Sequence, residues 1–199
     1  MPWSDAFKDL PDGFQAAPSD RAIVDAAGGR GAAIYGELIE ATFDRILQWW
    51  RPGPEDILLD LGSGTGRFAA QAAMTTEVGE VVAIELSRFR HETAVEGIER
   101  LRALGPDGAA AADRIRLVED DFLTASLPDA TLVYCGSTCF PAELWACLCR
   151  RVDRELPHLR SLIAPRPLPE DFQGRLREIG RFPGSATWMD EIDVYALGR

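Results

Sequence analysis

Apolar side chains recur along this chain with two different periods, and the switches between them mark its elements. Ile39, Phe43, Ile46, Leu47 and Trp50 return every three or four residues, which places them on one face of a helix across residues 33–50. Arg51-Pro52-Gly53-Pro54 ends that helix. Ile57-Leu58-Leu59 is a short apolar run of strand length that closes on Asp60-Leu61-Gly62. A helix through Gln71-Ala72-Ala73 follows, then a strand over 81–85 and a polar helix with Ala94, Ile98 and Leu101 on one face. Residues 115–118 and 131–134 read as a third and a fourth strand, 143–154 as a helix and 159–164 as a fifth strand. Two more strands are expected near 176–182 and 192–197.

Strands that alternate with helices pair in parallel, because a parallel connection needs a crossover. The expected fold is therefore α/β: a doubly wound, Rossmann-like sheet of about seven strands. It is mostly parallel with an antiparallel C-terminal strand, and helices cover both faces. Ligands of such sheets bind outside the carboxyl ends of the strands, at the switch point beside the first one. Residues 1–31 are rich in Pro, Gly, Asp and Ala, with one short helical stretch at 20–27. They read as an N-terminal extension, either mobile or folded over the site as a lid. Residues 32–199 read as a single domain.

Composition changes this picture little. At 46% hydrophobic and 27% charged residues, the chain is ordinary for a globular protein. No apolar run approaches a bilayer span, and the start Met1-Pro2-Trp3-Ser4-Asp5 is not a secretory signal. A cytoplasmic protein without a membrane partner is expected. The net charge is −11 and Lys8 is the only lysine, so a nucleic-acid partner is disfavoured on electrostatic grounds. Cys135, Cys139, Cys147 and Cys149 lack the spacing of common zinc sites and have no neighbouring histidine. They read as buried thiols, and no metal is expected. His91 lies on the helix after strand two, and His158 lies at the amino end of strand five. Neither is placed for general-base work. Trp49-Trp50 and Trp145 read chiefly as core.

The chemistry concentrates in Asp60-Leu61-Gly62-Ser63-Gly64-Thr65-Gly66, between strand one and its helix. Glycines at alternate positions let the backbone turn sharply and approach a ligand closely. A dinucleotide loop would need a third glycine where Arg67 stands, and the Gly-Lys-Ser/Thr of a phosphate-binding loop is absent. The pattern, with an acid two positions before the first glycine, resembles motif one of class I methyltransferases. Their S-adenosylmethionine carries an ammonium at its amino-acid end, which suits Asp60. Glu85, closing strand two, can accept from both ribose hydroxyls, as the equivalent acid does in dinucleotide folds. After strand three, the resemblance implies that Asp121 accepts from the adenine amino group and that Phe122 packs on its ring.

Further segments narrow the resemblance. Tyr35-Gly36-Glu37, Gln71-Ala72-Ala73, Asp121-Phe122-Leu123, Cys139-Phe140, Arg166-Pro167-Leu168, Thr187-Trp188 and Val194-Tyr195 follow one another in order. This succession resembles the catalytic core of the non-SET histone-lysine methyltransferases, the "disruptor of telomeric silencing" family. The resemblance implies that Glu37 lies near the methionine end of the cofactor, and Tyr35 beside it is a further cofactor-binding candidate. The resemblance gives Asp60, Gly62 and Glu85 to the methionine and ribose, and Ser63, Gly64, Gly66 and Gly136 are further cofactor-binding candidates. Tyr195 would line a lysine channel. The family's Val-Asn-Asn-Phe-Ala-Phe after strand four is here Cys135-Gly136-Ser137-Thr138-Cys139-Phe140. Both asparagines are missing, and Arg166 replaces a lysine. A basic tail is also absent, so histone is not the expected substrate. Ser137 and Tyr195 become the candidates for orienting the acceptor, a protein lysine or a small-molecule amine. The other readings are methylation of oxygen or carbon on a small metabolite, and a module that binds the cofactor without catalysis.

Overall fold

The computed structural model describes residues 2–199. Seven strands form one sheet: β1 (Ile57–Leu61), β2 (Glu80–Glu85), β3 (Ile115–Glu119), β4 (Leu132–Cys135), β5 (Ser161–Ala164), β6 (Arg177–Ala186) and β7 (Met189–Gly198). Their spatial order is β3-β2-β1-β4-β5-β7-β6. The first five pair in parallel, and β7 runs antiparallel between β5 and β6. The chain winds outward from β1 to β3, then returns to lay β4 on the other side of β1. The switch point therefore falls beside β1, as the alternation of strands and helices requires.

Both faces of the sheet are covered. Leu58, Val81, Ala83 and Tyr134 enter a core with Phe43, Ile46, Trp50 and Phe68. Leu59, Leu61, Val82, Ile84, Val133 and Cys135 enter a second core with Trp145 and Leu148. The period of two sorts each strand between the two cores, which is why the inner strands read as continuous apolar runs. The covering helices are α1 (Pro18–Gly28), α2 (Glu40–Trp50), α3 (Arg67–Thr75), α4 (Arg88–Arg102), α5 (Pro106–Ala112) and α6 (Ala142–Glu155).

Three elements depart from the sequence reading. The helix expected across 33–50 begins only at Glu40, because Ile39 is extended (φ −75°, ψ 159°) and its N–H donates to the Ser185 carbonyl at 3.1 Å. Helix α5 carries an alanine run with no apolar period, so only Pro106 at its first turn announces it. Strands β6 and β7 are longer than their apolar cores. Tyr195 faces Ala164 at the carboxyl end of β5, and the pairs from Phe182↔Val194 to Ala186↔Met189 continue past it. The hairpin thus rises beyond the carboxyl edge of the sheet. Its tip holds residues 37–39 through Thr187 N–H to Glu37 O, 2.9 Å, and a Leu38↔Ala186 bridge.

Trp3, Ala6 and Phe7 are buried in the core beside α3 and α4. Gly97 makes room for them, since a Cβ there would fall 2.3 Å from the Phe7 ring. Among the described residues, no helix is long and apolar enough to cross a membrane. Cys135 and Cys149 are buried, whereas Cys147, expected to be buried, is exposed on α6. Trp50 is buried, and Trp49 stacks outside on Phe182 at 5.8 Å.

Candidate active site

A cleft opens at the carboxyl ends of β1, β2 and β4, roofed by α1 and the loop 32–37. The glycine loop forms its floor. Gly62, Gly64 and Gly66 all have positive φ (75°, 56° and 78°), a region where a side chain is strained. A Cβ on Gly64 would also meet the Tyr35 hydroxyl at 2.8 Å. Gly66 is not in the cleft wall. It starts α3, and a Cβ there would meet Ala94 of α4 at 2.9 Å, so its role is to let the two helices approach.

Two acids end neighbouring strands on the same face. Glu85 ties loop to strand: its Oε2 accepts from Gly64 N–H and its Oε1 from Ser87 N–H, each at 2.8 Å. Burial pushes its carboxyl above the usual range, partly offset by the nearby Arg90. Asp60 has no such support. It is 1% exposed, and neither carboxylate oxygen has a partner among the described residues. Burial, then the charges of Glu85 and Glu37, raise its pKa well above the ordinary value. A buried carboxylate without partners is costly unless a cation or donor meets it. An ammonium is one group that would meet that requirement.

Glu37 closes the far side. Its Oε1 accepts from the Tyr35 hydroxyl and, at 3.0 Å, from Thr65 Oγ1, and Arg67 stands 3.8 Å from Oε2. Burial, then Glu37, raise the Tyr35 pKa, so the phenol stays protonated as a donor. At the opposite end, Phe122 and Phe140 stack at 5.7 Å. Asp121 beside them accepts from Leu123 N–H at 2.8 Å through one oxygen.

Tyr35, Glu37, Asp60, Gly62, Ser63, Gly64, Glu85, Asp121, Phe122 and Gly136 therefore meet in one cleft. Ser137 and Tyr195, the residues expected to orient the acceptor, are not among those that line this cleft. Ser137 opens a short 3₁₀ turn with its side chain fully buried and its hydroxyl unpartnered. Tyr195 lies on β7, separated from β1 by β4 and β5, beneath the Arg181 guanidinium. His158 pairs with Asp129 at 2.8 Å, at the amino end of the sheet.

Sequence reasoning missed several wall residues: Arg90, Tyr134, the rings of Phe43, Phe68 and Phe140, and Val24 and Ala27 of α1. Arg90 is 5% exposed and lies over the Tyr35 ring at 4.5 Å. It donates to the carbonyls of Gly13 (3.2 Å) and Ala33 (2.8 Å). Nothing in the local sequence marks it out from the other arginines of α4.

A sheet of this order, a glycine loop after β1 and acids after β1, β2 and β3 define a class I methyltransferase dependent on S-adenosylmethionine. The chain belongs to the family described as histone methylation protein DOT1, whose model matches residues 29–150, more than half of its length. No curated protein matches it significantly. Among solved structures, an RNA methyltransferase from Salinibacter ruber in complex with S-adenosyl-L-homocysteine is similar, with a TM-score of 0.58 and 20% identity over 79% of this chain and 90% of that one. A putative tRNA (m1A22) methyltransferase from Streptococcus pneumoniae has a TM-score of 0.61 and 14% identity over 81% and 70%. The tRNA (m1A58) methyltransferase TrmI from Aquifex aeolicus has a TM-score of 0.55 and 16% identity over 82% and 70%. At these identities the likeness is one of fold.

The fold neighbours correct the expectation that nucleic acid is disfavoured as a partner, because proteins of this fold include tRNA methyltransferases. Net charge was a poor guide because it averages over the chain. Residues 150–199 hold nine arginines against eight acids, whereas residues 1–149 hold 12 basic residues against 24 acidic ones.

Proposed function

We propose that the chain transfers the methyl group of S-adenosylmethionine to an amine nitrogen, on a protein lysine or a small molecule. The match of residues 29–150 to the family described as histone methylation protein DOT1 carries this reading. The rings of Phe43, Phe68 and Phe140 in the cleft walls disfavour the charged form of an incoming ammonium. A neutral amine is the form that can attack.

The cofactor brings a methyl group already activated on its sulfonium, so the protein's work is alignment and exclusion of water. In this reading Asp60, Glu37 and Tyr35 hold the methionine end, with Gly62, Ser63, Gly64 and Gly136 giving close backbone approach. Glu85 takes the ribose, while Asp121 and Phe122 take the adenine. Residues 1–31 act as a lid through α1, whose Val24 and Ala27 face the cleft.

A second reading, a base nitrogen of RNA as acceptor, is favoured by the RNA and tRNA methyltransferases among the fold neighbours. One experiment separates the two. The purified chain is incubated with radiolabelled S-adenosylmethionine and a lysate, which is then split into protein, RNA and small-molecule fractions. Methyl-lysine in the protein hydrolysate, or a labelled small amine, supports the first reading. Label confined to RNA replaces it with the second.

A further inference from the structure

In the sequence, Tyr134 is only the last apolar residue of the fourth strand. The sheet gives it a particular neighbour. In the register of β1 with β4, Tyr134 is the direct partner of Asp60, so the two side chains leave the same face of adjacent parallel strands. Both line the cleft. The tyrosine ring is held by Phe68, with centroids 4.5 Å apart, and by Phe43, edge-on at 5.6 Å.

Its hydroxyl reaches the edge of the sheet, 3.4 Å from where Gly136 would carry a Cβ. No hydrogen bond ties that hydroxyl to a neighbour among the described residues. Burial, followed by the charge of Asp60, keeps its proton in place. A neutral hydroxyl with unused lone pairs thus stands in one wall with a carboxylate whose two oxygens are also unused. Glu37 and Tyr35 line the same cleft. An ammonium has more N–H donors than one carboxylate can satisfy, and a second acceptor beside Asp60 completes its shell.

We propose that Tyr134 is a cofactor ligand, its hydroxyl oxygen accepting from the α-ammonium of S-adenosylmethionine while Asp60 accepts a second N–H of the same group. This rests on the assignment of Asp60 to the methionine end.

Calorimetry on the full chain tests the proposal with two ligands. One is S-adenosylhomocysteine; the other is its deaminated analogue, which keeps the carboxylate and lacks the ammonium. Tyr134→Phe deletes one oxygen and leaves the ring between Phe43 and Phe68. Affinity of this variant for S-adenosylhomocysteine is expected to fall about tenfold, equivalent to about 1.4 kcal/mol, with affinity for the analogue unchanged. No loss, or an equal loss for both ligands, overturns the proposal. The unliganded variant should melt at or above the parent temperature, because the hydroxyl has no internal partner. A lower melting temperature would mean an internal hydrogen bond, and would also overturn it. Failure of the wild type to prefer S-adenosylhomocysteine over the analogue would instead remove the Asp60 assignment on which the proposal stands.

Discussion

Asp60 and Glu85 are both buried acids at strand ends, and their surroundings differ in one respect. Each oxygen of Glu85 receives a backbone amide, whereas those of Asp60 have no partner among the described residues. The Asp60 carboxyl is therefore raised above its ordinary 3.8 in the folded chain, and the folded state holds a proton that the unfolded state has released. Its contribution to stability is full below the unfolded value and is lost as pH rises through the folded one. Asp60→Asn should remove that part of the pH dependence, seen in urea melts of the unliganded protein across a pH series. The same variant should bind S-adenosylhomocysteine at least tenfold more weakly at neutral pH, about 1.4 kcal/mol or more. If the urea midpoints of variant and parent keep the same pH slope, Asp60 is not the group responsible. The site was legible in sequence where its residues share a short motif or close a strand, as Asp60, Gly62, Glu85 and Asp121 do. Tyr134 and Arg90 were not legible, because strand register and the fold of the N-terminal segment bring them to the cleft. Position after a strand does not tell which way a side chain turns, as the buried side chain of Ser137 illustrates.

At the level of elements, apolar periodicity identified every strand, because each inner strand is covered on both faces. It failed for α5, whose alanines carry no periodic signal, and for the start of α2, which the hairpin tip decides. The N-terminal segment is the most consequential case. Asp20 of α1 bonds the Ser87 hydroxyl at the start of α4, and Arg90 holds the carbonyls of Gly13 and Ala33. No residue of α1 is itself buried. A helix held by a few polar contacts, with its apolar residues over a cleft, can open at small cost. Trypsin should cut at the exposed Arg21 and Arg30, and saturating S-adenosylhomocysteine should slow that cleavage several-fold. Cleavage at the same rate with and without ligand would contradict the lid.

For the whole molecule, the cleft is built from both ends of the chain. Loop 32–37 forms one wall, and the β6–β7 hairpin holds that loop from the C-terminal side. Ligand binding should therefore stabilise the complete fold. At a S-adenosylhomocysteine concentration one hundred times its Kd, linkage gives about 2.7 kcal/mol. For a chain of this size that corresponds to a rise in Tm of roughly 5–10 °C, measurable by calorimetric scanning. A similar rise with NAD and none with S-adenosylhomocysteine would remove the cofactor assignment. The order of the strands has another consequence. It leaves β6 and β3 as the open rims of the sheet. β6 carries Arg177, Glu178 and Arg181, a proline at 183 and two register shifts, while β3 is five residues long with Arg116 and Glu119 exposed. Charge, proline and irregular register are the features that stop a rim from recruiting another strand. The molecule is thus guarded against fibrous self-association at high concentration by the same hairpin that braces its cleft.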